Sequence, residues 1–274
     1  MAVEHLIESD GVELSVQEAG EGIPIVLLHG LTATRRYVLL GSRVLERSGH
    51  RVVSYDARGH GRSAPAPAPD AYSYAQLTGD LEAVMDALGI ERAVLAGASM
   101  GAHTLLAFAL RAPERIAGLV VITPAYDGRV LEAERLERWD ALAQGLRSGG
   151  VEGFLAAYGR PSVARTVQDT VITVIRQRLS EHLHPEAVAD ALAAVPRSRP
   201  FGELSELGAI VAPVAVVASS DDADPEHPFV VGEAYAARID GAVLVEDPPG
   251  SSPIAWQGSQ LSHVIAAIAD RARI

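Results

Sequence analysis

No cysteine occurs among the 274 residues. That absence excludes a disulfide framework, a thiolate metal site and a cysteine nucleophile. No uninterrupted apolar run reaches the roughly 18 residues that a membrane-spanning helix needs. The stretch Met1 to Gly11 is acidic and has no basic segment followed by an apolar one, so no signal peptide is expected. The chain contains no Rossmann fingerprint and no P-loop, so no cofactor is implied. His182 and His184 stand two apart without an obvious third ligand, and no metal is expected. Basic residues are in deficit: 23 Lys and Arg stand against 35 Asp and Glu, a net charge of −12. An acidic chain is a poor partner for nucleic acid and for anionic lipid. The expectation is a soluble cytoplasmic protein acting on or binding a small molecule; oligomeric state is not legible.

What is present is a rhythm of short apolar runs alternating with helical patterns. Ile25 to Leu28, Val52 to Tyr55, Val94 to Ala96, Leu119 to Ile122, Val214 to Ala218 and Ala242 to Val245 are short, rich in β-formers and apolar on both faces. Such runs suit buried parallel strands. Between them, Tyr74, Leu77, Leu81, Val84, Met85 and Leu88 recur at helical spacing after Ser73, an N-cap residue, and before Gly89. The order strand–helix–strand predicts a parallel sheet covered on both faces. Asp10-Gly11 separates two alternating segments at the start, a hairpin signal.

From Tyr126 to Leu204 there is no strand signal. Leu136, Trp139, Leu142 and Leu146 trace one helix face, Val167 to Leu179 a second, and Ala187 to Ala194 a third. This predicts an all-helical insertion of about 80 residues, 126–204, in a core formed by 1–125 and 205–274.

Gly97-Ala98-Ser99-Met100-Gly101 matches G-x-S-x-G. It follows an apolar strand and opens an alanine-rich helix, the context in which a tight turn lifts a serine Oγ clear of the backbone. The same turn aims the Met100 amide at a developing oxyanion. With the His29-Gly30 pair after one strand and the run Tyr55 to Ser63 after the next, the sequence resembles the α/β-hydrolase family over nearly its whole length. The resemblance implies a mostly parallel, eight-stranded α/β-hydrolase sheet with helices on both faces and an inserted helical cap. It further implies an oxyanion loop at Gly30 that offers the Leu31 amide as a second donor.

In that family a carboxylate follows the strand after the cap. Here Asp221, Asp222 and Asp224 compete, with Asp221 preferred and Asp127 an outside candidate. The family's histidine follows the last strand, and there Ser251 stands in its place. Serine has no group titrating near neutrality and does not serve as a base. Of the nine histidines, His227, beyond the acid loop, ranks first as a displaced base, and His182 and His184 lie in the cap. His103, one helical turn after Ser99, is expected to contact the core or the helix's first turn. The reading that follows is a serine hydrolase of esterase or lactonase type, taking a small, uncharged substrate. Two alternatives stay open: a non-hydrolytic ligand-binding protein, and a cofactor-free lyase or cyclase.

Overall fold

The computed structural model describes residues 2–161, 163, 165–219, 226–246 and 258–272. Among these, eight strands form one sheet: β1 (Val3–Ser9), β2 (Val12–Ala19), β3 (Ile23–Leu28), β4 (His50–Tyr55), β5 (Ala93–Ala98), β6 (Ile116–Ile122), β7 (Val214–Ala218) and β8 (Val243–Glu246). Their order across the sheet is β1-β2-β4-β3-β5-β6-β7-β8. β1 pairs antiparallel with β2, and β2 with β4, while every later pairing is parallel. The central strands β6 and β7 are buried at every position, which is why they read as unbroken apolar runs.

The helices are α1 (Val44–Arg47), α2 (Tyr74–Ala87), α3 (Met100–Arg111), α4 (Ala133–Tyr158), α5 (Arg165–Leu179), α6 (Pro185–Ala194), α7 (Phe229–Arg238) and α8 (Gly258–Ala269). α2 begins at a capping box between Ser73 and Gln76, which satisfies two orphan backbone donors at once. It ends where Gly89 takes φ +63° and the Ile90 amide turns back to the Met85 carbonyl at 2.8 Å. α5 is helical despite its β-branched valines and isoleucines: Ile175 and Leu179 bury in the cluster beneath the cap, and tertiary burial outweighs the small propensity deficit.

Among the described residues, three apolar clusters hold the fold together. Leu81, Met85, Leu105, Phe108 and Tyr235 pack on one sheet face, and Leu45, Leu261, Ile265 and Ile268 on the other. The third joins Leu31, Tyr74, Leu77 and Met100 of the core to Leu142, Leu146, Phe154, Ile175 and Leu192, which lie between β6 and β7 in sequence. Those intervening helices α4, α5 and α6 form the inserted cap.

A buried ion pair fixes the turn after β4. Arg58 donates from Nε and Nη2 to the two Asp80 oxygens at 2.8 and 2.7 Å and from Nη1 to the Ala71 carbonyl at 3.0 Å. Ser9 Oγ donates to Asp80 as well, at 2.7 Å. The pair bolts this turn to α2.

Candidate active site

β5 runs directly into α3, and the one residue between them, Ser99, has φ +51° and ψ −112°. A side-chain-bearing residue held in that region costs of order 1–3 kcal/mol, met only where the surroundings over-determine the turn. The neighbouring glycines show how tight it is. A Cβ on Gly97 would come within 2.5 Å of the Gly101 carbonyl, and one on Gly101 would strike the Leu28 carbonyl. The first turn of α3 is therefore pressed onto β3 and β5, and only glycine fits at either place.

The loop after β3 passes beside the elbow. Gly30 lies so near that a Cβ there would sit 3.5 Å from Ser99 Cβ. Two buried histidines brace this loop. His29 Nε2 accepts from the Ala57 amide at 2.9 Å, so its Nδ1–H donates to the Gly30 carbonyl at 2.8 Å. His60 sets its Nε2 2.7 Å from the Leu31 carbonyl. Burial pushes His29 down to about 3, with the nearby His60 adding to the effect, so the neutral tautomer is retained. Asp56 accepts from the Arg35 and Arg62 amides at 2.9 and 3.1 Å, tying this loop to the turn after β4.

His227, just before α7, places Nε2 at 2.8 Å from Ser99 Oγ. The two residues are 128 positions apart in sequence. Its neighbour Glu226 is gripped by two arginines of α4: Arg135 Nη2 at 2.9 Å and Arg138 Nη1 at 3.5 Å. The cap thus holds the segment that carries His227.

Of the remaining histidines, only His103 also borders the cavity at Ser99. His103 is buried below the elbow, where its Nε2 accepts the Ala125 and Tyr126 amides at 3.0 and 3.1 Å. Its Nδ1–H is thereby left to donate to Tyr74 Oη at 3.0 Å. Burial, with a smaller contribution from His227, lowers it to about 3. His182 is buried against His60, and His184 sits near Glu186; neither lines the cavity at Ser99. His5 contacts Glu18, His50 is buried at the start of β4, and His263 is exposed on α8. Asp221, Asp222, Asp224 and Ser251 lie outside the described residues. Asp127, the outside candidate for the acid, accepts the Arg129 amide at 3.1 Å and does not line the cavity.

Ser99, His227, Gly30, Leu31 and Met100 share one cavity of about 340 Å³. Its walls are mostly apolar: Leu131, Trp139, Leu142, Phe154, Val171, Val174 and Ile175 come from the cap. Arg135, Arg138, Arg178 and Glu226 supply its charged groups. Tyr74 and Tyr126 also line it, and nothing in the sequence singles them out; a tyrosine bonded to, or packed edge-on against, a buried histidine leaves no local signal. Among the described residues, no group of three or more His, Asp or Glu is gathered as a metal ion would require.

The profile of the alpha/beta hydrolase fold matches residues 23–215. The chain belongs to that family. As an α/β hydrolase it is similar to a 2-hydroxy-6-oxononadienedioate/2-hydroxy-6-oxononatrienedioate hydrolase of Pseudomonas putida, 30% identical over 77% of this chain and 76% of the relative. With some curated relatives the match is shorter than half their length. It covers 44% of a putative non-heme haloperoxidase of Mycobacterium phage D29, 35% identical over 46% of this chain. Among solved structures, the enol-lactonase of Burkholderia xenovorans LB400 superposes with a TM-score of 0.73 at 27% identity, covering 97% of this chain and 98% of its own. The family match and the named hydrolase and lactonase relatives are consistent with one another in pointing to hydrolase-type chemistry. No described helix is long and apolar enough to cross a membrane.

Proposed function

We propose that the protein is a serine hydrolase that cleaves small, uncharged esters or lactones, with Ser99 as nucleophile and His227 as general base. The observation that carries this reading is the 2.8 Å approach of His227 Nε2 to Ser99 Oγ at a strained strand-to-helix elbow. A substrate carbonyl enters the cavity, and Nε2 accepts the Oγ proton as Oγ adds to the carbonyl carbon. The oxyanion so formed accepts from the Leu31 and Met100 amides, each such donor being worth about 10²–10³ in rate. The imidazolium then returns its proton to the departing alkoxide, leaving an acyl-enzyme. Water, deprotonated by the same Nε2, releases the acid. Asp221 is the sequence-based choice for the carboxylate that steadies the imidazolium. The mostly apolar cap wall supports an uncharged acyl group, and two of the three arginines that line the cavity, Arg135 and Arg138, are engaged by Glu226. Likeness to an enol-lactonase favours lactones among the esters to be tried.

The test is fluorophosphonate labelling alongside turnover of a p-nitrophenyl ester. Wild type is expected to label at Ser99 and turn over, Ser99→Ala to do neither, and His227→Gln to lose about 10⁴–10⁶ in kcat. An inert wild type that is nonetheless stabilised by a small ligand would replace this reading with a binding protein. Turnover without an acyl-enzyme would replace it with a lyase.

A further inference from the structure

Three successive carbonyls of the oxyanion loop each meet an imidazole from a different part of the chain. His29 donates to Gly30 O at 2.8 Å, His60 Nε2 lies 2.7 Å from Leu31 O, and His182 Nε2 lies 3.3 Å from Thr32 O. The rings are neighbours, with centroids 5.2 Å apart between His29 and His60 and 5.5 Å between His60 and His182. All three are buried. Of the three, only His182 belongs to the cap, between α5 and α6. Its Nδ1 accepts the Gly61 amide at 2.8 Å, so its proton is on Nε2 and points at Thr32 O.

The consequence follows from peptide planarity, which sets each C=O opposite the N–H of the same trans unit. Holding Thr32 O fixes the direction of the Ala33 N–H. That N–H donates to Gly30 O at 3.0 Å. Gly30 O is shared with His29, and its own trans partner is the Leu31 N–H. Two peptide planes thus link a cap histidine to the amide beside Ser99. Of the residues flanking His182, Glu181 clamps the continuation of this loop and Leu183 the turn after β4. Glu181 accepts Thr34 Oγ1–H at 2.9 Å and Tyr37 Oη–H at 3.2 Å, and the Leu183 amide donates to Gly61 O at 2.9 Å.

We propose that His182 is a positioning residue for the oxyanion hole: through Thr32 and Ala33 it orients the Leu31 N–H, so the hole is complete only with the cap docked. This rests on the reading of Leu31 as an oxyanion donor. The two nitrogens of His182 can be tested separately. His182→Asn keeps an acceptor for Gly61 N–H and loses the donor to Thr32 O. His182→Gln keeps a donor at the Nε2 position and loses the acceptor.

The expected result is that Asn lowers ester kcat by about 10–100-fold with KM nearly unchanged, while Gln stays close to wild type. Hydrogen–deuterium exchange over residues 29–37 is expected to quicken in Asn and not in Gln. Equal behaviour of the two variants, or an effect confined to KM or to melting temperature, overturns the proposal. Should the Asn variant fail to fold, Glu181→Gln loosens the same docking without touching an imidazole, and its kcat and exchange are predicted to shift in the Asn direction. Unchanged values there overturn the proposal too. If wild type hydrolyses no ester and takes no label, the serine-hydrolase reading falls, and the exchange measurement alone still decides whether His182 holds the loop.

Discussion

At the scale of single residues, the elbow is where sequence and geometry constrain each other most tightly. Gly101 touches the Leu28 carbonyl through the space a Cβ would need. Gly101→Ala is therefore expected to cost about 1–3 kcal/mol by overpacking and to disturb Ser99 with it. Urea midpoints and ester turnover measure both, and a variant as stable and active as wild type would show that the turn has slack. Ser251→Ala, by contrast, is expected to leave kcat within about twofold, because the proposed chemistry gives that position no proton to carry. The elbow was legible because its requirements are local: a strand, a bare turn and a helix follow one another in sequence. The histidine that approaches Ser99 is a different matter, because sequence position can rank the candidates but cannot decide among them. Nine are available, and the contact joins residues 128 apart, a separation that only the assembled fold brings together. The role of His182 has no signal at all, since it depends on which carbonyls the docked cap happens to meet.

At the scale of elements, strand and helix types followed from periodicity, while the lateral order of the sheet did not. Apolar runs announce burial on both faces but not which neighbour they choose. The polar bolts between elements are equally silent in sequence. Arg58 and Asp80 are almost wholly buried and fully bonded to each other and to Ser9 and Ala71. Asp80→Ala strands a buried guanidinium and is expected to cost about 3–5 kcal/mol in a urea melt. The grip of Arg135 and Arg138 on Glu226 is of another kind, since both arginines are about half exposed. Such pairs contribute at most about 1 kcal/mol. Glu226→Gln should accordingly leave the urea midpoint nearly unchanged but lower kcat several-fold, because it releases the segment bearing His227. A midpoint that falls together with kcat would mean the contact is structural only.

At the scale of the whole molecule, the buried imidazoles make stability depend on pH. Burial, helped by neighbouring histidines, holds His29, His103 and His182 at about 3. In the unfolded chain they take up protons below about 6.5. Between those values the unfolded state binds more protons, so stability falls as pH drops from about 6.5 towards 3. Each group contributes up to about 1.4 kcal/mol per pH unit over that window. Urea midpoints at pH 7 and pH 5 are expected to differ clearly, the lower value at pH 5. Identical midpoints would show that these rings are charged when folded.

The contact of Glu181, His182 and Leu183 with the core bears on how such a protein diversifies. Grafting another α/β hydrolase's cap onto this core is the obvious way to alter the substrates admitted. In this molecule, the segment that shapes the apolar wall and the segment that steadies the backbone beside Ser99 are one continuous insert. A chimaera that retains residues 181–183 should change its preferences while keeping its speed. One that replaces them should slow on every substrate alike, so that rate is inherited with residues 181–183 and selectivity with the rest of the insert.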